Sequence, residues 1–285
     1  GACQKDQPDP VPSAPAETGP RLIMKFKFDS TQVRLGAFGD PVSVPAGHGA
    51  QSPRFNGMSS HYVEFTPTAW TALGQGSVVY QSPSTTAGGA TAIDFSHEVI
   101  VGNGGTFLNI PLSTLTPGTY EWLRVSLAYQ NYDVNFRYTD PTFGPFNLTG
   151  SLASFIGYNT YISSYQVGQQ SVTVNGNRLQ GYWGFEVNNP PVPTAPITGQ
   201  APGTTVVNPL FGTSAIPAGS CVVTGGFAQP LTITGNETQD VTITVSLSTN
   251  KSFEWSDLAG DNIYEPLAGD TVVDMGIRGL IPIVQ

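Results

Sequence analysis

Residues 116–138 read TPGTYEWLRVSLAYQNYDVNFRY. Thr116-Pro117-Gly118-Thr119 has the form of a tight turn, Pro pre-setting φ at the first central position and Gly supplying a positive φ at the second. A long strand, Tyr120 to Tyr129, is launched from it. Beyond that strand Tyr132, Val134, Phe136 and Tyr138 alternate with Asn131, Asp133, Asn135 and Arg137 without a break. Successive side chains of a strand point to opposite faces, so this rhythm puts one apolar row on a core and one polar row toward water.

The same period recurs at both ends of the chain. Leu22, Met24, Phe26 and Phe28 interleave with Lys25 and Lys27, and Val241, Ile243, Val245 and Leu247 with Asp240, Thr242, Thr244 and Ser246. Shorter strands are predicted at 61–65, 77–81, 98–101, 106–110, 148–155, 161–167, 220–227 and 271–275. Asn175-Gly176 reads as a hairpin turn between strands at 171–174 and 179–187. A helical turn or two is allowed at Thr66 to Leu73, with Thr66 as N-cap and Pro67 at the first helical position. The expectation is an all-β, antiparallel β-sandwich of the immunoglobulin-like or Greek-key type, with long loops. The domain reading is a disordered tether over 1–20 and one sandwich over 21–285, the Pro-rich stretch 188–203 being a surface loop.

Composition agrees with that class. The chain has 285 residues, 11% charged, with 33 Gly and 24 Pro, which excludes a coiled coil or helical bundle. A mean hydropathy of -0.07, with no apolar run near the ~20 residues of a membrane span, excludes an integral helical membrane protein. Only 11 Lys and Arg and a net charge of -9 leave no basic stripe to neutralise phosphates, so nucleic acid is not an expected partner.

Gly1-Ala2-Cys3 precedes a polar stalk carrying Pro8, Pro10, Pro12, Pro15 and Pro20. Such a segment cannot bury enough surface to offset its ordering entropy, and its prolines make it an extended spacer. Cys221 sits in the run Ser220-Cys221-Val222-Val223 and reads as a buried thiol in an apolar strand.

Three groups are candidates for chemistry. In the 120–127 strand, Leu123, Val125 and Leu127 form a core row, leaving Tyr120, Trp122, Arg124, Ser126 and Gln130 on the other face. With Trp183 from Gly181-Tyr182-Trp183-Gly184-Phe185, they make a candidate ligand-binding platform, because rings stack on apolar sugar faces while polar neighbours fix orientation; the competing reading is that these rings fill a sheet contact. Carboxylates gather at Glu254, Asp257, Asp261, Glu265, Asp270 and Asp274. This loop breaks the EF-hand pattern at Ala259, Asn262 and Ala268, leaving a looser calcium site on Asp257, Asp261 and Asp270 against a simply hydrated acidic hairpin tip. His48, His61 and His97 share no ligand spacing, although copper or zinc sites can be assembled from distant strands. There is no G-x-S-x-G and no recognisable nucleophile pairing, so no catalytic residue is assigned and a non-enzyme is expected.

Gly-Ala-Cys and the stalk resemble the lipidation site of a Gram-negative envelope lipoprotein, in which Cys3 carries the lipid. The resemblance implies an outer-membrane lipoprotein facing the periplasm or the cell surface, with the membrane as a partner through its anchor and a glycan or envelope protein as ligand. The layout after Arg21 is similar to MbnP-like copper-binding proteins. It shares an opening Phe26-x-Phe28 strand, the Pro117-Gly118-Thr119-Tyr120 turn into a long strand, and the late alternating strand Val241 to Leu247. That resemblance implies a β-sandwich and copper as a possible cofactor beside calcium; no residue of this chain is matched to that family's copper site.

Overall fold

The computed structural model describes residues 19–36, 39–201 and 221–285. Cys3 and nearly all of the expected tether lie outside the described residues. Eighteen strands are present among them: β1 (Arg21–Asp29), β2 (His48–Gln51), β3 (Arg54–Thr66), β4 (Ser77–Gln81), β5 (Ser84–Thr85), β6 (Ala92–Asp94), β7 (Thr106–Pro111), β8 (Gly118–Asp140), β9 (Gly144–Phe155), β10 (Asn159–Gln166), β11 (Ser171–Leu179), β12 (Tyr182–Asn188), β13 (Ile197–Gln200), β14 (Cys221–Ile233), β15 (Val241–Ser248), β16 (Phe253–Ser256), β17 (Thr271–Asp274) and β18 (Leu280–Val284). Three-residue 3-10 turns are the helical elements among these residues.

β8 is the spine. The two strands expected at 120–129 and from 132 are one continuous strand of 23 residues. It belongs to a seven-stranded sheet ordered β13-β12-β9-β8-β3-β4, with β14 also paired to β8. Along its first half β8 lies between β3 and β14, and along its second it pairs with β9. A second sheet, β18-β15-β1-β7, packs on the first half. Between them Leu22, Met24, Phe26, Ile243, Val245 and Leu247 meet Val63, Phe65, Leu123, Val125 and Leu127 in the main core of the sandwich. Truncating one such leucine to alanine typically costs 2–5 kcal/mol, roughly, by transfer and cavity terms together.

Two smaller sheets clothe the second half of β8. Ile162 and Tyr165, from the sheet β11-β10-β6-β5, pack on Tyr129, Phe155 and Tyr182. On the opposite face Phe253 and Trp255, from β17-β16-β2, pack on Tyr132, Val134 and Leu152.

Several local expectations are corrected. Asn175-Gly176 is no hairpin turn. β11 runs through it, pairing Ile162 with Gly176 and Ser164 with Thr173, so Val174 and Asn175 stand opposite Ser163 alone. Asn175 has φ 51°, and the left-handed residue makes a bulge rather than a reversal. The strands on either side of Gly181 then belong to different sheets, β11 with β10 and β12 with β9. Gly118 already belongs to β8 and is not among the glycines with positive φ. Residues 98–101 form no strand, meeting β3 through the single bridge Met58–Val101. Thr66 ends β3 and 67–73 is turn and bend rather than helix, since its carbonyls are drawn onto Arg124 and the amides that follow onto Glu64, as described below. Antiparallel pairing dominates, yet β1–β15 and β6–β10 are parallel. The Pro-rich stretch also contributes a strand, β13, which pairs with β12.

Candidate functional site

Past Tyr129, which packs on Phe155 and Tyr165, its face of β8 turns polar. Register places Asp133 opposite Ser151 of β9 and Ser151 opposite Glu186 of β12; one rung on, Asn135 faces Thr149, and Thr149 faces Asn188. These rungs floor an open cleft of about 860 Å³, bounded by Gln51 to Asn56 on one side and by Val167 to Gln170 on the other. A second cleft of about 580 Å³ continues from it toward Arg137, Asn262 and Tyr264. Both are lined by Gln51, Asn135, Thr149, Asn188 and Asn189, so the two form one groove.

The floor is rigidly organised. The Asp133 carboxylate accepts hydrogen bonds from Asn56 Nδ2 at 2.8 Å and Ser151 Oγ at 2.7 Å and pairs with Arg54. Asn56 Nδ2 also reaches Asn131 Oδ1 at 2.9 Å, and Asn131 Nδ2 donates to Val167 O at 2.8 Å. Glu186 accepts the N–H groups of Gln169 and Gln170 at 2.6 and 2.8 Å, which fixes the loop forming one wall. Gln51 closes the open edge of β8 by bonding the Asn135 N–H and C=O at 2.7 and 2.8 Å. The side chains of Asn135, Thr149 and Asn189 make no hydrogen bond among the described residues, so their donors and acceptors are free to meet a ligand. Tyr264 lies parallel to Trp255, 5.4 Å between ring centroids and 17° between planes, and beside Phe253 at 5.1 Å. Its ring is thereby held at the far end of the groove.

The expected platform is not assembled. Tyr120 is 4% exposed and its hydroxyl donates to Thr116 O. Arg124 is 1% exposed, 3.5 Å from the fully buried Glu64, and donates to Ala69 O and Thr71 O. Glu64 in turn accepts the N–H groups of Gly74 and Gly76 at 3.1 and 2.7 Å. Ser126 and Gln130 are fully buried. The loop over 67–76 therefore covers the face that alternation assigned to water. Trp122 is half-buried against Gly226, and Trp183 against Gly199. Trp183 lies level with Gln130 through Ser154, eight residues along β8 from Trp122, which is roughly 27 Å. One ligand platform does not include both.

The acidic loop is tied by its own backbone. Asp270 accepts the N–H groups of Leu258 and Glu265 at 3.0 and 2.9 Å, Asp257 that of Asn262 at 2.7 Å, and Asp261 that of Ile263 at 3.0 Å. These bonds do for the turn what a cation does in a calcium loop. Among the described residues no group of three or more His, Cys, Asp or Glu side chains is placed to hold a metal. His48 Nδ1 lies 2.5 Å from Glu254, which also binds Arg34 and Arg278 at 2.5 and 2.8 Å. His97 is exposed beside Asp94 at 2.8 Å. His61, first residue of the strand expected at 61–65, is 4% exposed and tilted against Tyr158, and burial pushes its pKa down to about 4. Cys221 packs on the main core, and burial pushes its thiol up to about 11.

Comparison with protein families, with curated proteins and with solved structures finds no match to this chain. The groove residues outside 131–137 carried no sequence signal of their own; the row Asn131, Asp133, Asn135 and Arg137 did, and it had been read only as a hydrated face.

Proposed function

We propose that this protein is a non-catalytic glycan-binding module of the bacterial cell envelope, tethered to a membrane through acylated Cys3. The tether reading rests on Gly-Ala-Cys followed by the Pro-rich stalk. The binding reading rests on one observation: a rung of unbonded amide and hydroxyl groups, Asn135, Thr149 and Asn189, beside Asn188, whose Oδ1 accepts from Ser151 Oγ at 3.2 Å, presented on a floor whose other polar groups are already mutually bonded. Pre-ordered side chains lose little entropy on binding, and amides supply both donors and acceptors to sugar hydroxyls. The carboxylates do not suit catalysis. Asp133 is held by Arg54, Asn56 and Ser151, and Glu186 by two backbone N–H groups, so both carboxylates are already engaged within the protein.

Native gels containing soluble polysaccharides test the site. The wild-type protein is expected to be retarded by at least one glycan, and the double variant Asn135→Ala/Asn188→Ala to lose that retardation while Trp122→Ala keeps it. Loss in Trp122→Ala with retention in the double variant would move the site to the tryptophan. Mass spectrometry of the native product checks the anchor, an unmodified Cys3 being the outcome against it.

A further inference from the structure

We infer that the groove selects an uncharged, extended glycan lying along β8, with one sugar stacked on Tyr264; this rests on the glycan-binding reading above and specifies its ligand. The first ground is charge. The four charged side chains lining the groove are Arg54, Asp133, Glu186 and Arg137. Arg54 pairs with Asp133, Glu186 accepts two backbone N–H groups, and Arg137 bonds Asn147 Oδ1 at 3.2 Å and lies 4.0 Å from Glu265. No unpaired cation is left to meet a uronate, sulfate or phosphate, and the net charge of -9 repels polyanions from the whole molecule.

The second ground is the kind of polar group that remains. Ten Asn and Gln side chains line the two clefts. An amide offers a donor and an acceptor a short distance apart, as adjacent sugar hydroxyls do, and carries no charge to strip of water. The third ground is length. From Asn131 to Arg137 the floor runs six residues along an extended strand, roughly 20 Å, which accommodates several linked sugars rather than one. At its end the Tyr264 ring, backed by Trp255, offers an apolar surface to a sugar face.

The experiment uses affinity electrophoresis on hydroxyethylcellulose, xyloglucan, galactomannan and dextran, with alginate and polygalacturonate as charged counterparts, followed by calorimetry on oligosaccharides of any polymer that binds. Retention by a neutral polymer, unchanged in 0.5 M (approximate) NaCl and in EDTA, is expected. Affinity should then climb with oligosaccharide length until the groove is filled. Tyr264→Ala should weaken binding about three- to tenfold, with Tyr264→Phe unchanged. Retention by the acidic polymers alone, abolished by salt, overturns the inference and leaves glycan binding standing. A monosaccharide that binds as tightly as its oligomers overturns the extended mode, and this readout does not depend on how well Tyr264→Ala folds. Failure of every polymer overturns the underlying reading as well.

Discussion

The two halves of β8 are one strand with two fates. From Tyr120 to Tyr129 both faces are covered: Leu123, Val125 and Leu127 by the opposing sheet, Arg124 and Ser126 by the 67–76 loop. From Asn131 onward one face is covered by Phe253 and Trp255, and the other opens into the groove. Alternation alone does not separate these cases, because a polar row can be hydrated, capped by a loop or offered to a ligand. What separates them is how the polar groups are satisfied. In the first half a buried cation is neutralised by Glu64 and by backbone carbonyls; in the second, a mutually bonded floor leaves selected amides unbonded.

The largest effect is expected where burial is complete. Arg124→Ala leaves Glu64 buried without its partner, and breaking one side of such a pair costs about 3–5 kcal/mol. Urea denaturation should show that loss, and Arg124→Met combined with Glu64→Gln should recover a large part of it. A cost below about 1 kcal/mol would mean that the first half behaves as a solvated face, and the contrast between the halves would collapse.

The junction of the halves carries the next effect. Ser59, paired with Tyr129, lies with Ser82 beside the Glu98 carboxyl, and burial pushes Glu98 up to about 7 despite those hydroxyls. Its folded pKa exceeds its ordinary value of 4.5, so its stabilising contribution is complete below that value and is lost as pH rises through about 7. Buried His61 acts in the opposite sense: its contribution is present above 6.5 and is lost as pH falls through about 4. The two slopes oppose each other over the shared window, and above it Glu98 acts alone. Denaturation curves should therefore show stability falling from pH 6.5 to pH 8 (approximate values), by about 0.8 kcal/mol. Glu98→Gln should abolish that fall; a fall that persists in the variant assigns it to other groups.

The layered β architecture was legible because its strands follow the period-two rule at Leu22–Phe28, Tyr132–Phe136 and Val241–Leu247. The parts that escaped depend on contacts distant in sequence. Nothing near Arg124 says that Glu64, 60 positions earlier, will bury with it. Asn175-Gly176 has turn chemistry, but the same left-handed backbone serves a bulge once β10 lies alongside. The acidic loop looked like a cation site because the backbone N–H groups that occupy Asp257 and Asp270 are invisible in a residue string. As for the groove, its floor was visible as a polar row, while its walls come from 51–56, 167–170 and 188–190, which only the fold brings together.

The smallest expected change in stability is also the most informative about the second half. Asn135 is exposed, its side chain makes no internal hydrogen bond, and its backbone is held by Gln51 whatever the side chain is. Asn135→Ala should therefore alter unfolding free energy by no more than about 0.5 kcal/mol, while a lost hydrogen bond to ligand weakens glycan retention several-fold. Denaturation and affinity electrophoresis on the same preparation separate the two. A large loss of stability would place Asn135 among the groups that hold the floor together. An unchanged retention with unchanged stability would leave the side chain a hydrated ornament of the sheet, and the second half of β8 would then be no more than the polar face its alternation first suggested.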